Sequence, residues 1–226
     1  MMIKIILKNL ILIFLSIKIF FISKNRCFLN KKNLFIDLGT NFGQGFLFFK
    51  KFFRQKNFEY VLIEPNPNLK IHIKNLIKEK EGAKKIKFIN KAAYINNGSK
   101  KFYGLVEDPK RLGTSDGGSL LNEHNTKLYR ANKKKAITVK TFNFINYLKK
   151  LKKYDNIIIK MDIEGSEYKI LDRLIKNLSE IKNIKHIFLE FHSRFMVKNK
   201  KIKYKIKERK IIENLELNNI KYTLWI

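Results

Sequence analysis

The sequence predicts an α/β fold, a doubly wound, mostly parallel Rossmann-like sheet with helices on both faces. Three observations carry this. Short apolar runs alternate with amphipathic stretches, the pattern of βα units. A glycine-rich turn, "DLGTNFGQG", closes the first of those runs. Acidic residues stand at the ends of three apolar runs, where open α/β sheets place their ligands.

In order, "NLFIDLG" reads as the first strand and "QGFLFFKKFFRQK" as its helix. "FEYVLIEPNP" is the second strand, followed by "NLKIHIKNLIKEKEG" as a helix that Gly82 ends. "KKIKFINKAAY" is the third strand. From about Ile95 to Lys140 the rhythm breaks. "INNGSKKFYG" is a turn and a short strand, and "EDPKRLGTSDGGSLLNEHN" is a long loop by its Gly, Ser and Asp content. The pattern resumes with "AITVKTFNFINYLKKLKKY", in which Thr141 is the candidate helix cap. "NIIIKMDIEG" is then a buried strand, with a helix from about Ser166 to Leu178. "NIKHIFLEFH" is the next strand, followed by a basic amphipathic helix, and "NIKYTLWI" is a sixth and last strand.

The 226 residues fit one domain, and 45% hydrophobic content with 13% aromatics supplies its core. Residues 1–30 stand apart as an apolar and basic helix, with residues 31–226 as the domain proper. In "MMIKIILKNLILIFLSIKIFFISKNR", Lys4, Lys8 and Lys18 interrupt the apolar run and fall on one helical face. That suits a helix lying in a membrane interface, an anchor with snorkelling lysines, or a cap on the domain's own core. No small-residue cleavage site follows it. The single Cys27 excludes an internal disulfide and a thiolate metal cage. It permits a reducing compartment, so a cytoplasmic location with peripheral membrane contact is expected.

Lys and Arg number 49 against 19 Asp and Glu, a net charge of +30. Such a charge favours anionic partners, but the lysines are dispersed and no nucleic-acid motif accompanies them, so a nucleic-acid partner is not expected.

The first turn is D-x-G-x-N-x-G, with Asp37, Gly39, Asn41, Gly43 and a further Gly45. It is not the G-x-G-x-x-G of dinucleotide binding, and an acid before the glycines repels a pyrophosphate. The same acid attracts a cationic ligand such as S-adenosylmethionine, which carries a sulfonium and an ammonium group. Glu64, about 20 residues on in "LIEPNP", is placed to accept the hydroxyls of a ribose. Asn66 lies in the same proline-stiffened turn, and Ala92 in "INKAAY" is small enough for a flat adenine slot and equally for ordinary close packing. If the strand from Asn156 runs on to Glu164, Asp162 and Glu164 point to the same side. Glu190 and His192 end the next strand.

Together "FIDLGTNFGQGFLFF", "LIEPNP", "INKAAYINNGSKKFYG", "IIIKMDIEGSEYKIL" and "HIFLEFH" resemble the FkbM family of S-adenosylmethionine-dependent methyltransferases, from about Leu34 to His192. The resemblance implies a class I methyltransferase sheet, an S-adenosylmethionine cofactor and O-methylation of a small molecule, sugar or glycan. The cofactor candidates are then Asp37, Gly39, Asn41, Gly43, Glu64, Asn66, Ala92 and Asp162. Asp162 is the first candidate for base or acceptor-positioning group. Glu164 supports it or bonds the following helix, and His192 is a further catalytic candidate. No metal ligand is assigned. A hard divalent cation held by these carboxylates with Glu190 and His192 is the alternative to a simply solvated rim. His72 and His186 read as structural, and His124 is left undecided. The class I pattern usually adds an antiparallel seventh strand that this sequence does not offer. The rival functions are RNA 2′-O-methylation and an inactive binding module on the same fold.

Overall fold

The computed structural model describes residues 2–54, 56–80, 83–104, 118–124 and 136–225, with side chains from residue 10 onward. Helix α1 (Met2–Ser23) precedes β1 (Asn33–Leu38), α2 (Gln44–Lys50), β2 (Phe58–Ile63), α3 (Lys70–Lys78) and β3 (Ile86–Ile89). Then come β4 (Ala92–Tyr94), β5 (Gly98–Phe102), β6 (Ile137–Asn143) and α4 (Phe144–Lys149). The chain continues through β7 (Asn156–Met161), α5 (Glu167–Ile175), β8 (Ile184–Leu189), α6 (Lys198–Leu217) and β9 (Tyr222–Leu224).

Six strands form one sheet in the order β3-β2-β1-β7-β8-β9, and every pairing in it is parallel. The order reverses between β1 and β7, so the crevice beyond their carboxyl ends is the topological switch point. Among the described residues no antiparallel strand joins this sheet. The sixth strand, β9, pairs directly with β8.

Strand periodicity sorts the core into two layers. Leu34, Ile36 and Leu38 of β1, with Ile157, Ile159 and Met161 of β7, pack with α4, α5 and α6 through Phe144, Leu171 and Ile211. Phe35 and Ile158 turn to the opposite face, against Ile19 of α1, Phe46 and Phe49 of α2 and Ile73 of α3. Each such side chain contributes about 1.5–3 kcal/mol on burial. Asp37 and Lys160 fall on that second face by the same alternation, one step beyond Phe35 and Ile158, and are register partners.

Helix α1 caps the phenylalanine-rich face. Leu15 and Ile19 are buried in it, while Phe14 and Phe21 on the far side are 71% and 69% exposed. Among the described residues no helix is long and apolar enough to cross a membrane. The side chains of Lys4 and Lys8 lie outside the described residues.

Several expectations need correction. The third strand divides: β3 stops at Ile89, and β4 leaves to pair with β6 in a separate three-stranded sheet. Asn90 sits at the break and donates through Nδ2 to Glu64 O at 2.8 Å, tying the end of β2 to the end of β3. Thr141 lies inside β6 and caps nothing. The cap of α4 is Asn143, whose Oδ1 accepts from Asn146 N. The helix after β7 begins at Glu167 and ends at Ile175. Gly82 and much of the loop around "TSDGGSLLNEHN" lie outside the described residues.

Candidate active site

The end of β1 and the end of β7 meet at Gly39. A Cβ there would stand 1.8 Å from the Asp162 carbonyl oxygen, and φ is +76°, so both space and backbone require glycine. Gly43 is different. A Cβ on it would meet Leu76 Cδ2 at 2.3 Å, so this glycine lets α2 and α3 pack. It does not line the cleft, which corrects its expected place in the ligand site.

A cleft of about 640 Å³, open to solvent, lies beyond the carboxyl ends of β1, β2 and β7. Gly39, Asn41, Glu64, Asn66, Ala92, Asp162 and Glu164 all line it. Ile63, Leu69, Ala93 and Phe102 form its apolar walls, and Gly118 and Leu120 approach from the middle segment.

Glu64 is 6% exposed. Its Oε2 accepts from Asn41 N at 3.0 Å and its Oε1 from Asn66 N at 2.9 Å. Asn41 reaches this position with φ at +49°, in the left-handed region that asparagine tolerates. Burial pushes the Glu64 carboxyl up to about 7, with the two N–H groups acting in the opposite sense.

Asp37 departs from expectation. It is fully buried, accepts from Thr40 Oγ1 at 2.7 Å and faces Lys160 Nζ at 3.2 Å, outside the cleft lining. The cation that this acid attracts is the chain's own lysine. Lys160 Nζ also donates to Gly39 O at 3.1 Å and lies 3.3 Å from Asp162 Oδ2. Burial opposes the lysine's charge, but Asp37 and Asp162 outweigh it and raise its pKa. Gly45 permits this placement, since a Cβ there would crowd Lys160 Cε at 3.2 Å.

The two carboxylates after β7 do share a site, though not by strand periodicity. The strand ends at Met161, and Glu164 sits in a turn with φ at +52°. Asp162 Oδ1 and Glu164 Oε2 lie 3.4 and 3.3 Å from His192 Nε2, and Glu190 Oε1 lies 3.9 Å from it. Burial works against ionisation of Asp162, but Lys160 and His192 hold its carboxyl well below the usual range. Burial likewise disfavours the His192 cation, yet Glu167 and Asp162 raise its pKa. Glu190 is pushed up to about 7 by burial and by Asp162.

Glu167 is the residue that sequence reading passed over. It is fully buried, with Oε2 accepting from Gly165 N at 2.8 Å and Oε1 placed 3.1 Å from His192 Nδ1. It also takes the helix-start contact expected of Glu164. The signal was the second acid of "EGSE" at the start of a helix. His124 Nε2 lies 2.6 Å from Glu164 Oε2, which brings the middle segment to the rim. His72 contacts Phe42 O at the surface, and His186 pairs with Thr223 at 2.9 Å inside the sheet.

This winding, with its cleft at the switch point, defines a Rossmann-like α/β domain. Residues 37–210 match the family model described as the methyltransferase FkbM domain, and the chain belongs to the FkbM methyltransferase family. It is similar to a crystal structure of the methyltransferase FkbM from Methylobacillus flagellatus KT. The two are 17% identical with a TM-score of 0.41, over 70% of this chain and 34% of that one. The chain therefore spans about a third of that protein's length. No curated protein matches it.

Proposed function

We propose that this protein is an S-adenosylmethionine-dependent O-methyltransferase whose acceptor is a hydroxyl of a small molecule, sugar or glycan. The observation that carries the reading is Glu64. A carboxylate fixed by two backbone N–H groups lines an apolar-walled cleft, with lone pairs left for a vicinal diol such as a ribose. The residues fit the cofactor. Glu64 and Asn66 would hold its ribose, Ala92 and the apolar wall its adenine, and Gly39, Asn41 and Asp162 its charged end. S-adenosylmethionine, when bound, supplies an electrophilic methyl carbon on a sulfonium.

The chain's own residues prepare the acceptor. Lys160 and His192 keep Asp162 ionised, which suits it to orienting a hydroxyl and makes it a weak proton acceptor. Glu164 lies beside it on the cleft wall and takes the hydroxyl's proton in this reading. Positioning can supply about 7–11 kcal/mol of barrier reduction and a placed base roughly 10²–10⁴-fold.

A methyl-label transfer screen over sugars, glycans and RNA tests this. The reading expects O-methylated sugar or small-molecule product, reduced about 10²–10⁴-fold by Glu164→Gln. Label in RNA alone would make it a 2′-hydroxyl RNA enzyme. Cofactor binding without any transfer would make it a binding module.

We also propose that α1 rests on an anionic membrane surface. Leu10, Phe14, Ile17 and Phe21 fall on one arc at 100° per residue, opposite buried Leu15 and Ile19, and are 46%, 71%, 50% and 69% exposed. Lys18 and Lys24 beside them are exposed, and the chain's net charge of +30 complements anionic lipid.

A further inference from the structure

We propose that Asp162, Glu190 and His192 form a divalent cation site at the inner edge of the cleft, with open positions for the acceptor's hydroxyl. One donor atom from each lies within 4.8 Å of the others. Glu190 and His192 are buried, and Asp162 is shared with the cleft wall.

The spacing around His192 leaves room for an ion between it and the carboxylates. His192 Nε2 faces Asp162 Oδ1 at 3.4 Å, Glu164 Oε2 at 3.3 Å and Glu190 Oε1 at 3.9 Å. Two of these oxygens have closer cationic partners, Glu164 Oε2 with His124 Nε2 at 2.6 Å and Glu190 Oε1 with Arg194 Nη2 at 2.5 Å, so an ion would share Glu190 with Arg194. Ligands on an ion with bonds of about 2.1 Å stand about 3 Å apart on an octahedral edge and about 4.2 Å apart across it. The distances from His192 Nε2 to Asp162 Oδ1 and Glu190 Oε1, 3.4 and 3.9 Å, lie in that interval.

The outer contacts agree. Glu167 Oε1 lies 3.1 Å from His192 Nδ1, the carboxylate–histidine arrangement that leaves the other ring nitrogen to a metal, whose binding would displace that nitrogen's proton. Independently, Ser166 Oγ is unpartnered among the described residues, although Ser166 is 2% exposed and lines the same cleft as Asp162 and Glu164. A ligand at this wall would give that buried hydroxyl a partner. One imidazole with two carboxylates suits Mn²⁺ or Mg²⁺ better than a thiolate-seeking metal. The ion would hold the acceptor oxygen beside Glu164 and ease loss of its proton.

The proposal rests on the methyltransferase reading for the ion's role, but its test does not depend on turnover. Mn²⁺ is titrated into the full chain by calorimetry and by the paramagnetic resonance signal of the free ion. S-adenosylhomocysteine is titrated into the same samples. The expected result is one Mn²⁺ per chain, weakened at least about tenfold in His192→Ala and in the near-isosteric Glu190→Gln, and about 10–100-fold in Glu167→Gln. Wild-type protein that binds S-adenosylhomocysteine but no Mn²⁺ up to about 1 mM overturns the cation site and leaves the cofactor reading standing. Mn²⁺ binding unchanged in both His192→Ala and Glu190→Gln overturns it as well. Mn²⁺ binding that these substitutions weaken, without any S-adenosylhomocysteine binding, upholds the cation site and counts against the cofactor.

Discussion

Asp37 and Lys160 face each other across β1 and β7, with Lys160 Nζ 3.2 Å from Asp37 Oδ1 and side chains 4% and 0% exposed. A buried pair of this kind is costly to break from one side, because the remaining charge loses its partner away from water. Lys160→Met is therefore expected to destabilise the chain by about 3–5 kcal/mol in denaturant unfolding. Adding Asp37→Asn should recover part of that loss. A double variant no more stable than the single one would show that the pair is not what Lys160 stabilises.

Gly39→Ala tests the junction of β1 and β7. Its Cβ would overlap the Asp162 carbonyl at 1.8 Å in a backbone with φ at +76°. A loss of about 2–4 kcal/mol is expected, together with weaker cofactor binding as the strand ends are forced apart. Stability within 0.5 kcal/mol of wild type, as for an ordinary surface change, would contradict the junction described above (about 0.5 kcal/mol is the usual surface range).

Glu64 gives a pH dependence of defined sign. Its folded pKa is raised by burial from 4.5 to about 7, so the folded state holds the proton that the unfolded chain has released. Its contribution is complete below about pH 4.5 and is lost as pH rises toward 7. Measured against Glu64→Gln, wild-type stability should fall across that window by up to about 3 kcal/mol and level off above it. A difference that stays flat from pH 4 to 8 would mean that the carboxyl titrates normally (about pH 4–5).

Membrane contact through α1 is read by sedimentation with vesicles. Binding to vesicles rich in anionic lipid, weaker at high salt and reduced at least about tenfold in Phe14→Ser/Phe21→Ser, is expected. Equal recovery of wild type and the double variant, with either neutral or anionic lipid, would remove the proposal.

The alternating runs from Asn33 to Tyr222 made the winding of the sheet legible, because strands buried on both faces read as unbroken apolar segments. What failed to show was where a run stops. Asn90 and Lys91 look like part of one strand with Ala92 and Ala93, and only the pairing of β4 with β6 separates them. The cleft-lining acids Glu64 and Asp162 were legible from their place just past strand ends. The partners of buried acids were not, since sequence cannot show that Asp37 meets Lys160, 123 residues away along the chain, or that Glu167 turns toward His192. Asp162 and Glu164 converge as expected, but through the left-handed turn at Glu164.

Calorimetric titration of S-adenosylmethionine and S-adenosylhomocysteine into wild type and Glu64→Ala bears most directly on the switch-point cleft. Binding tighter than about 1 mM is expected, and two charge-assisted bonds of about 1.5–3 kcal/mol each predict that it weakens at least about a hundredfold in the variant. No binding of either compound below about 1 mM, or binding that is indifferent to the loss of Glu64, would contradict the account.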